Sequence, residues 1–189
     1  MDLLLRDKVA VIAGGSRGIG RAVALALAEE GCRLMLAARG EEGLRRAQEL
    51  VEARGAEASI FAGDLTRPDD CQRLVDAALD AFGRIDILVN SLHASLPGRD
   101  EETWRRGLEA LLLTPVRLTE LVAPVMREQG GGVIVHLASI WGREAGGTPA
   151  YNAAKAALIS HAKAMAVSYT HLRAHETPEH LVCRLLLEK

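Results

Sequence analysis

The sequence has few aromatic residues and no long apolar run. Phe, Trp and Tyr together make up 3% of its 189 residues, so a hydrophobic core has to be built from Leu, Val, Ile and Ala. Cores of this kind are typical of helices packed on a parallel sheet. No uninterrupted apolar stretch approaches the roughly 20 residues that a membrane-spanning helix needs. We therefore expect no membrane association.

A strong excess of charge of either sign is also missing. The formal net charge is −2, so the composition indicates no basic surface for nucleic acid. The three cysteines, at positions 32, 71 and 183, are far apart and lack the spacing of a zinc site. This pattern predicts no bound metal and a reducing compartment. Because the charged N-terminal residues do not resemble a signal peptide, we expect a soluble, cytoplasmic protein.

Short apolar runs alternate with longer amphipathic stretches. The runs predict buried strands at residues 8–13, 34–38, 58–62, 85–90 and 132–138. Apolar residues at three- and four-residue spacing predict helices at residues 19–30, 41–54, 68–82 and 101–129. Gly31, Gly55 and Gly83 are expected as left-handed residues at helix ends, and Pro68 suits a first helical turn capped by Thr66. The alternation predicts right-handed crossovers and a doubly wound parallel sheet of the α/β class.

A glycine-rich loop lies between the first predicted strand and the first helix, with the sequence Ala13-Gly14-Gly15-Ser16-Arg17-Gly18-Ile19-Gly20. Glycines let such a turn tighten and let a pyrophosphate approach the backbone, while the helix N-terminus supplies free N–H groups. Any tight strand-to-helix turn favours glycine. The position directly after the first strand nevertheless favours a dinucleotide site.

The end of the second predicted strand indicates which dinucleotide would bind. Sites for NAD usually have a carboxylate here, whereas this sequence has Ala38 followed by Arg39, with Arg17 in the glycine loop. Two guanidinium groups without an acid suit the 2′-phosphate of NADP(H). The alternative is that both are ordinary surface arginines, and we favour the phosphate interpretation.

Polar residues follow the next two predicted strands, with Asp64 and Leu65 after the third and Asn90 at the end of the fourth. An open α/β sheet binds its ligand at the carboxyl ends of its strands. Asp and Asn are also common in turns, so these positions alone do not identify a site.

Ser139 ends the fifth predicted strand, and Tyr151 and Lys155 follow on a predicted helix. A four-residue step puts Tyr151 and Lys155 on one helix face. A free phenol is a poor acid–base catalyst at neutral pH, and a neighbouring ammonium group favours the phenolate. The serine hydroxyl can polarise a substrate carbonyl. A Tyr and a Lys at this spacing often form a plain surface pair, but the upstream serine and the glycine loop make chance a poor explanation.

Together these features resemble the short-chain dehydrogenase/reductase family over residues 5–166. The resemblance implies a Rossmann-like three-layer fold and hydride transfer between NADP(H) and a carbonyl or a secondary alcohol. It implies that Tyr151 is the catalytic acid/base, that Lys155 modulates it and that Ser139 orients the carbonyl. The cofactor-binding residues that it implies are Gly14, Ser16, Arg17, Gly18, Ile19, Gly20, Arg39, Asp64, Leu65, Asn90, Tyr151 and Lys155.

The substrate is less well defined. The glycine loop is most similar to that of 3-oxoacyl-[acyl-carrier-protein] reductases, which implies a 3-oxoacyl thioester. A dehydrogenase of sugars, polyols or other secondary alcohols and a nucleotide-binding protein without turnover stay open as alternatives. The family's habit of pairing long helices implies a homodimer or homotetramer.

The sequence departs from the family at two places. The fourth strand continues as Asn90-Ser91-Leu92-His93, where the family usually has Asn-Asn-Ala-Gly. Leu111 occupies the position of a family asparagine whose carbonyl is freed by a helix kink. Pro115, four residues later, removes the N–H that would bond to that carbonyl and offers another route to the same result. We expect His93 and His136 to be structural or pocket-lining residues.

The last part of the chain, residues 167–189, has a different character. It loses the apolar period, holds three of the six histidines and resembles, over residues 167–177, a translated transposon-end sequencing adapter. We therefore expect a core at residues 1–166, truncated before its C-terminal strands, and a non-native tail at residues 167–189. In the usual strand order of the family, the strand that ends at Ser139 would then become an exposed edge. We expect this chain to be aggregation-prone or only partly ordered and to lack measurable reductase activity.

Overall fold

The computed structural model describes residues 3–168, 172–176 and 182–188. Five parallel strands form the centre of the sheet in the order β3-β2-β1-β4-β5. They are β1 (Val9–Ala13), β2 (Arg33–Ala38), β3 (Ala58–Ala62), β4 (Ile87–Asn90) and β5 (Gly131–Leu137). The fold class and the five predicted strands are confirmed.

Helices cover both faces of this sheet. They are α1 (Gly18–Glu29), α2 (Glu41–Glu52), α3 (Pro68–Phe82), α4 (Glu101–Leu108), α5 (Thr114–Glu128) and α6 (Pro149–Ser168). Alternate residues of β1 point to opposite faces, so Val9 and Val11 pack in one core with α3 and α5, while Ala10 and Ile12 pack in the other with α1 and α2. The result is the predicted three-layer arrangement. None of the described helices is both long enough and apolar enough to cross a membrane.

Local turn chemistry follows the sequence in most places. Gly31, Gly55 and Gly83 have φ values of 81°, 80° and 73°, which confirms them as left-handed residues after α1, α2 and α3. The cap predicted for α3 is wrong, because its N-cap residue is Arg67. Thr66 instead donates from its backbone and its hydroxyl to Asp64 Oδ1, at 3.2 Å and 2.9 Å.

The single helix predicted over residues 101–129 is also wrong, because a π-helical turn at Glu109–Leu113 separates α4 from α5. Thr114 N–H donates to Glu109 O, five residues earlier, instead of to Ala110 O. Pro115 has no N–H, so Leu111 O loses its α-helical donor. The break thus includes the carbonyl that the sequence indicated, that of Leu111.

The C-terminal side of β5 differs from the sequence expectation. The antiparallel strand β7 (Val182–Glu188) pairs with it from Gly131↔Glu188 to Leu137↔Val182, and β6 (Leu172–Glu176) pairs with β7. The prediction that β5 is an exposed edge is therefore wrong, since free N–H and C=O groups on a strand edge can pair with another extended segment. The expected aggregation rested on that exposed edge, and the pairing with β7 removes this reason for it; the expected lack of activity stays a prediction.

Candidate active site

The serine, tyrosine and lysine singled out from the sequence lie at the carboxyl end of the sheet. Ser139 follows β5 by two residues, and Tyr151 and Lys155 lie in the first two turns of α6. Lys155 Nζ is 5.8 Å from the centroid of the Tyr151 ring. Because open α/β sheets bind ligands at this edge, the three residues stand where a reaction can take place.

Lys155 is nearly inaccessible to solvent, with 4% of its surface exposed. Its Nζ donates a hydrogen bond of 2.5 Å to the backbone carbonyl of Leu137, in the last position of β5. Burial lowers the pKa of this ammonium from 10.5 to about 8. The protonated form still predominates at neutral pH, so the site contains a fixed positive charge beside Tyr151.

Trp141 connects the serine to the tyrosine, and the sequence analysis missed it. It lies in a short 3₁₀ turn, Ile140–Gly142, and its backbone N–H donates to Ser139 Oγ over 3.3 Å. Its indole meets the Tyr151 ring edge to face, with 6.1 Å between centroids. Because the Trp141 N–H occupies a lone pair of Ser139 Oγ, the serine O–H can be donated to a substrate oxygen.

An apolar cluster surrounds Tyr151. Leu111 is 1% exposed and takes part in this cluster in place of the polar side chain that the family usually has there. The other members are Ala94, Leu96, Trp104, Leu108, Ala110, Ala150 and Ala154. A cluster of this composition lowers the local dielectric constant on the side of Tyr151 that packs against it, which strengthens electrostatic interactions there.

The glycine loop forms a tight cradle. Gly14 and Gly15 donate their N–H groups to Ala37 O in β2, at 2.8 Å and 3.1 Å. A Cβ on Gly20 would lie 2.2 Å from Gly14 O, and a Cβ on Gly14 would lie 2.4 Å from Ser91 O. Gly18 has φ 56° and open space around its missing side chain. The loop is therefore closed on the protein side and open at Gly18, as a bound pyrophosphate requires.

The N-terminus of α1 is suited to an anion. Within the part of the chain that the structure describes, no side chain caps this helix, and its first turn holds no acidic residue. Arg17, Gly18 and Ile19 are all exposed at this end. Free N–H groups and the positive end of the helix dipole favour a phosphate here. The residues of this chain thus fit a dinucleotide.

The two arginines expected at the 2′-phosphate border the same corner of the fold. Both are exposed, and neither guanidinium forms a hydrogen bond or ion pair with another described residue. Arg39 precedes α2, and Arg17 directly follows Ser16. A Cβ built on Gly43, in the first turn of α2, would lie 3.4 Å from the Cβ of Ser16. The glycine loop therefore touches the start of α2, and both cations are available to a ligand.

The three other sequence-predicted residues have partners within the protein. Asp64 Oδ1 closes a turn with Thr66, and the Leu65 side chain is 4% exposed in the core. Asn90 Nδ2 lies 3.2 Å from His136 Nδ1, and Asn90 Oδ1 is buried without a hydrogen-bond partner among the described residues. His136 is buried in the sheet, as expected for a structural histidine, and its ring lies 6.0 Å from that of His161.

Comparisons with known proteins point to one family. The family model described as short chain dehydrogenase matches residues 8–173. An uncharacterized oxidoreductase from Mycobacterium tuberculosis is 37% identical over 169 residues, which are 86% of this chain and 64% of the relative. The chain thus spans less than two thirds of that relative's length.

Solved structures give the same result. A metagenomic short-chain oxidoreductase in complex with NADP has a TM-score of 0.83 and 32% identity, over 88% of this chain and 78% of the other. A 7α-hydroxysteroid dehydrogenase complexed with NADH and 7-oxoglycochenodeoxycholic acid has a TM-score of 0.82 and 28% identity, over 87% and 67%. The chain therefore belongs to the short-chain dehydrogenase/reductase family.

Proposed function

We propose that the protein transfers hydride between NADP(H) and a carbonyl or secondary-alcohol substrate, and that Ser139, Tyr151 and Lys155 carry the proton chemistry. The observation that carries this proposal is the buried Lys155 ammonium, 5.8 Å from the Tyr151 ring and fixed to Leu137 O. A surface Tyr–Lys pair would have no such carbonyl partner and no such burial.

Each of the three side chains has a distinct task in the direction of reduction. When bound, the nicotinamide supplies the hydride. Ser139 donates its O–H to the substrate oxygen, since Trp141 N–H already fixes the orientation of Oγ. Tyr151 donates the proton to the same oxygen, and the positive charge of Lys155 stabilises the phenolate that remains. In oxidation the same proton returns to Tyr151.

The choice of NADP(H) over NAD(H) rests on Arg17 and Arg39. Their guanidinium groups have no acidic partner among the described residues, and Arg17 directly precedes the N-terminus of α1, which no described side chain caps. A 2′-phosphate can take bidentate hydrogen bonds from such groups. The family itself uses both cofactors, as one solved relative is in complex with NADP and another with NADH.

The remaining expectations belong to the same proposal. A 3-oxoacyl thioester is the substrate class that the glycine loop suggests, and a homodimer or homotetramer is the assembly that the family suggests. A cytoplasmic location fits Cys32 and Cys71, which are unpaired and buried. Burial raises the pKa of both thiols to about 11, so they contribute no nucleophile.

Cofactor binding by the 189-residue chain tests the first half of the proposal. Isothermal titration should give a dissociation constant at least tenfold lower for NADPH than for NADH, and equal values would overturn the assignment. Turnover is measured on the longest natural polypeptide that contains residues 1–166, with a panel of carbonyl compounds. Tight NADPH binding without reduction of any of them would favour a nucleotide-binding protein without turnover.

A further inference from the structure

The segment that follows β3 is held in place by side chains from two helices. Asp70, in α3, accepts the backbone N–H of Asp64 on its Oδ2 over 2.9 Å. Thr114, in α5, donates its hydroxyl to Leu65 O over 3.0 Å. The N–H of the same peptide group, that of Thr66, donates to Asp64 Oδ1. The peptide groups on both sides of the one that carries the Leu65 N–H are therefore fixed.

The middle of this segment offers hydrogen-bonding groups that the protein does not use. Leu65 N–H has no hydrogen-bond partner among the described residues, and Asp64 Oδ2 accepts from none of them. A donor and an acceptor on consecutive residues match the Watson–Crick edge of adenine, on which N1 accepts and the 6-amino group donates. The proposed function puts these two residues at the adenine of the cofactor, and the match supports it.

The Thr114 hydroxyl is buried and has one proton for two carbonyl oxygens. Glu109 O, 2.9 Å from the hydroxyl, already accepts the backbone N–H of Thr114. The other donor to Leu65 O among the described residues is the thiol of Cys71, at 3.1 Å, and a thiol is a weak donor. The hydroxyl proton is therefore needed most at Leu65 O.

We infer that Thr114 is a positioning residue for the recognition of adenine, because its hydrogen bond to Leu65 O holds the neighbouring Leu65 N–H in place for adenine N1. The inference rests on the proposed function and gives α5 a task in cofactor selection. A buried carbonyl without a strong donor costs free energy, so loss of the hydroxyl would let the peptide groups around Leu65 turn. The glycine loop, which belongs to another segment, would keep its geometry.

An analogue of the cofactor with a different base separates this role from a general loss of structure. Isothermal titration of the 189-residue chain compares NADPH with reduced nicotinamide hypoxanthine dinucleotide phosphate. The base of this analogue has a proton on N1 and an oxygen in place of the amino group, so the unmodified chain should bind NADPH about tenfold more tightly. Thr114→Val keeps the side-chain volume and should weaken the binding of NADPH about fivefold, and that of the analogue by less than about twofold.

Thr119 provides the matched control. It is as buried in α5 as Thr114, but its hydroxyl donates to Pro115 O within the helix. Thr119→Val should keep the full preference for NADPH, and so should Thr114→Ser, which retains the hydroxyl. If Thr114→Val does not fold, Thr114→Cys takes its place, since its thiol is a weak donor and should lose the preference in the same way.

The outcomes distinguish this inference from the proposed function. Equal losses for both dinucleotides in Thr114→Val, or no preference for NADPH over the analogue in the unmodified chain, would overturn the inference and leave the cofactor assignment intact. An unmodified chain that does not bind NADPH would overturn the cofactor assignment and the inference together. If the longest natural polypeptide reduced no carbonyl compound but kept a base preference that depends on Thr114, the reductase proposal alone would be overturned.

Discussion

Lys155 Nζ donates to the carbonyl oxygen of Leu137 over 2.5 Å and so joins α6 to the last residue of β5. One hydrogen bond replaces the water shell that the ammonium would have in solution, and burial lowers its pKa to about 8. The folded protein therefore holds a charge at a free-energy cost. A cost of this kind at a site is expected where the charge is needed for function.

Replacement of Lys155 by methionine should stabilise the protein at neutral pH. The lowering of the Lys155 pKa from 10.5 to about 8 corresponds to a destabilisation of roughly 3 kcal/mol, which the methionine variant avoids. The variant in turn leaves Leu137 O without a donor, which costs roughly 1 kcal/mol or more. The free energy of unfolding in urea at pH 7 should therefore rise by about 1–2 kcal/mol, while NADPH binding weakens.

The stabilisation expected for Lys155→Met should depend on pH. Because the folded pKa is lower than the unfolded one, the unfolded chain binds more protons between pH 8 and 10.5. The native protein is therefore stabilised as the pH rises through that window, and the advantage of Lys155→Met should shrink by pH 10. Urea denaturation of the unmodified protein and of Lys155→Met at pH 7, 8.5 and 10 measures this change. A destabilised Lys155→Met protein at pH 7 would contradict the argument.

Tyr151→Phe keeps the ring against Trp141 and removes the proposed proton donor. Reduction should fall by at least roughly 10²–10⁴-fold, the usual contribution of general acid catalysis. The dissociation constant for NADPH, measured by titration calorimetry, should change by less than tenfold. A phenylalanine variant that keeps most of its turnover would show that another group is the acid.

The sequence predicted the central strands well because the patterns that indicate them are local. Continuous apolar runs such as β1 and β2 are buried on both faces, and Gly31 and Gly83 supply backbone conformations that few other residues adopt. Each of these signals lies within the segment that it predicts. Their agreement with the structure follows from that.

Other features depend on contacts between segments far apart in the chain, and sequence patterns do not contain them. The π-helical turn is accompanied by a contact of the Thr114 hydroxyl, which donates to Leu65 O over 3.0 Å, 49 residues earlier. The position of Trp141 depends on two glycines, Gly146 and Gly147, whose spacing resembles that of an ordinary turn. The pairing of β7 with β5 depends on an available strand edge instead of a strand signal in the tail.

Arg39→Asp should reverse the cofactor preference. The carboxylate would repel the 2′-phosphate of NADPH and accept hydrogen bonds from the free ribose hydroxyls of NADH. Because Arg39 is exposed and its guanidinium has no partner among the described residues, the fold should be unaffected. Titrations with both cofactors measure the change, and Arg127→Asp provides an equal change of charge on α5. A preference that stays with NADPH would assign the 2′-phosphate to other residues.

Two glycines of the cradle should respond differently to alanine. Gly20→Ala places a Cβ 2.2 Å from Gly14 O, so it should lower the free energy of unfolding by about 1–3 kcal/mol. Gly18→Ala meets no atom within 4 Å and should cost only about 1 kcal/mol from its φ of 56°. Its methyl group would lie in the space left for the pyrophosphate, so NADPH affinity should fall more than stability does. Unchanged NADPH affinity in Gly18→Ala would place the pyrophosphate elsewhere.

His136 should make the fold sensitive to acid. It is 2% exposed, and burial, followed by the charges of His161 and Lys155, lowers its pKa from 6.5 to about 3. Below pH 6.5 the unfolded chain therefore binds a proton that the folded chain does not, and the free energy of unfolding falls toward pH 3 at up to about 1.4 kcal/mol per pH unit.

His136→Asn can still bond to Asn90 and does not titrate, so by pH 5 it should retain roughly 2 kcal/mol that the unmodified protein loses. Urea denaturation at pH 7.5 and pH 5.0 measures this difference, with the exposed His93→Asn as the control. If His136→Asn lost as much stability as the unmodified chain, the proton uptake would belong to another group, and His161, whose pKa is also lowered by burial, would be the next residue to replace.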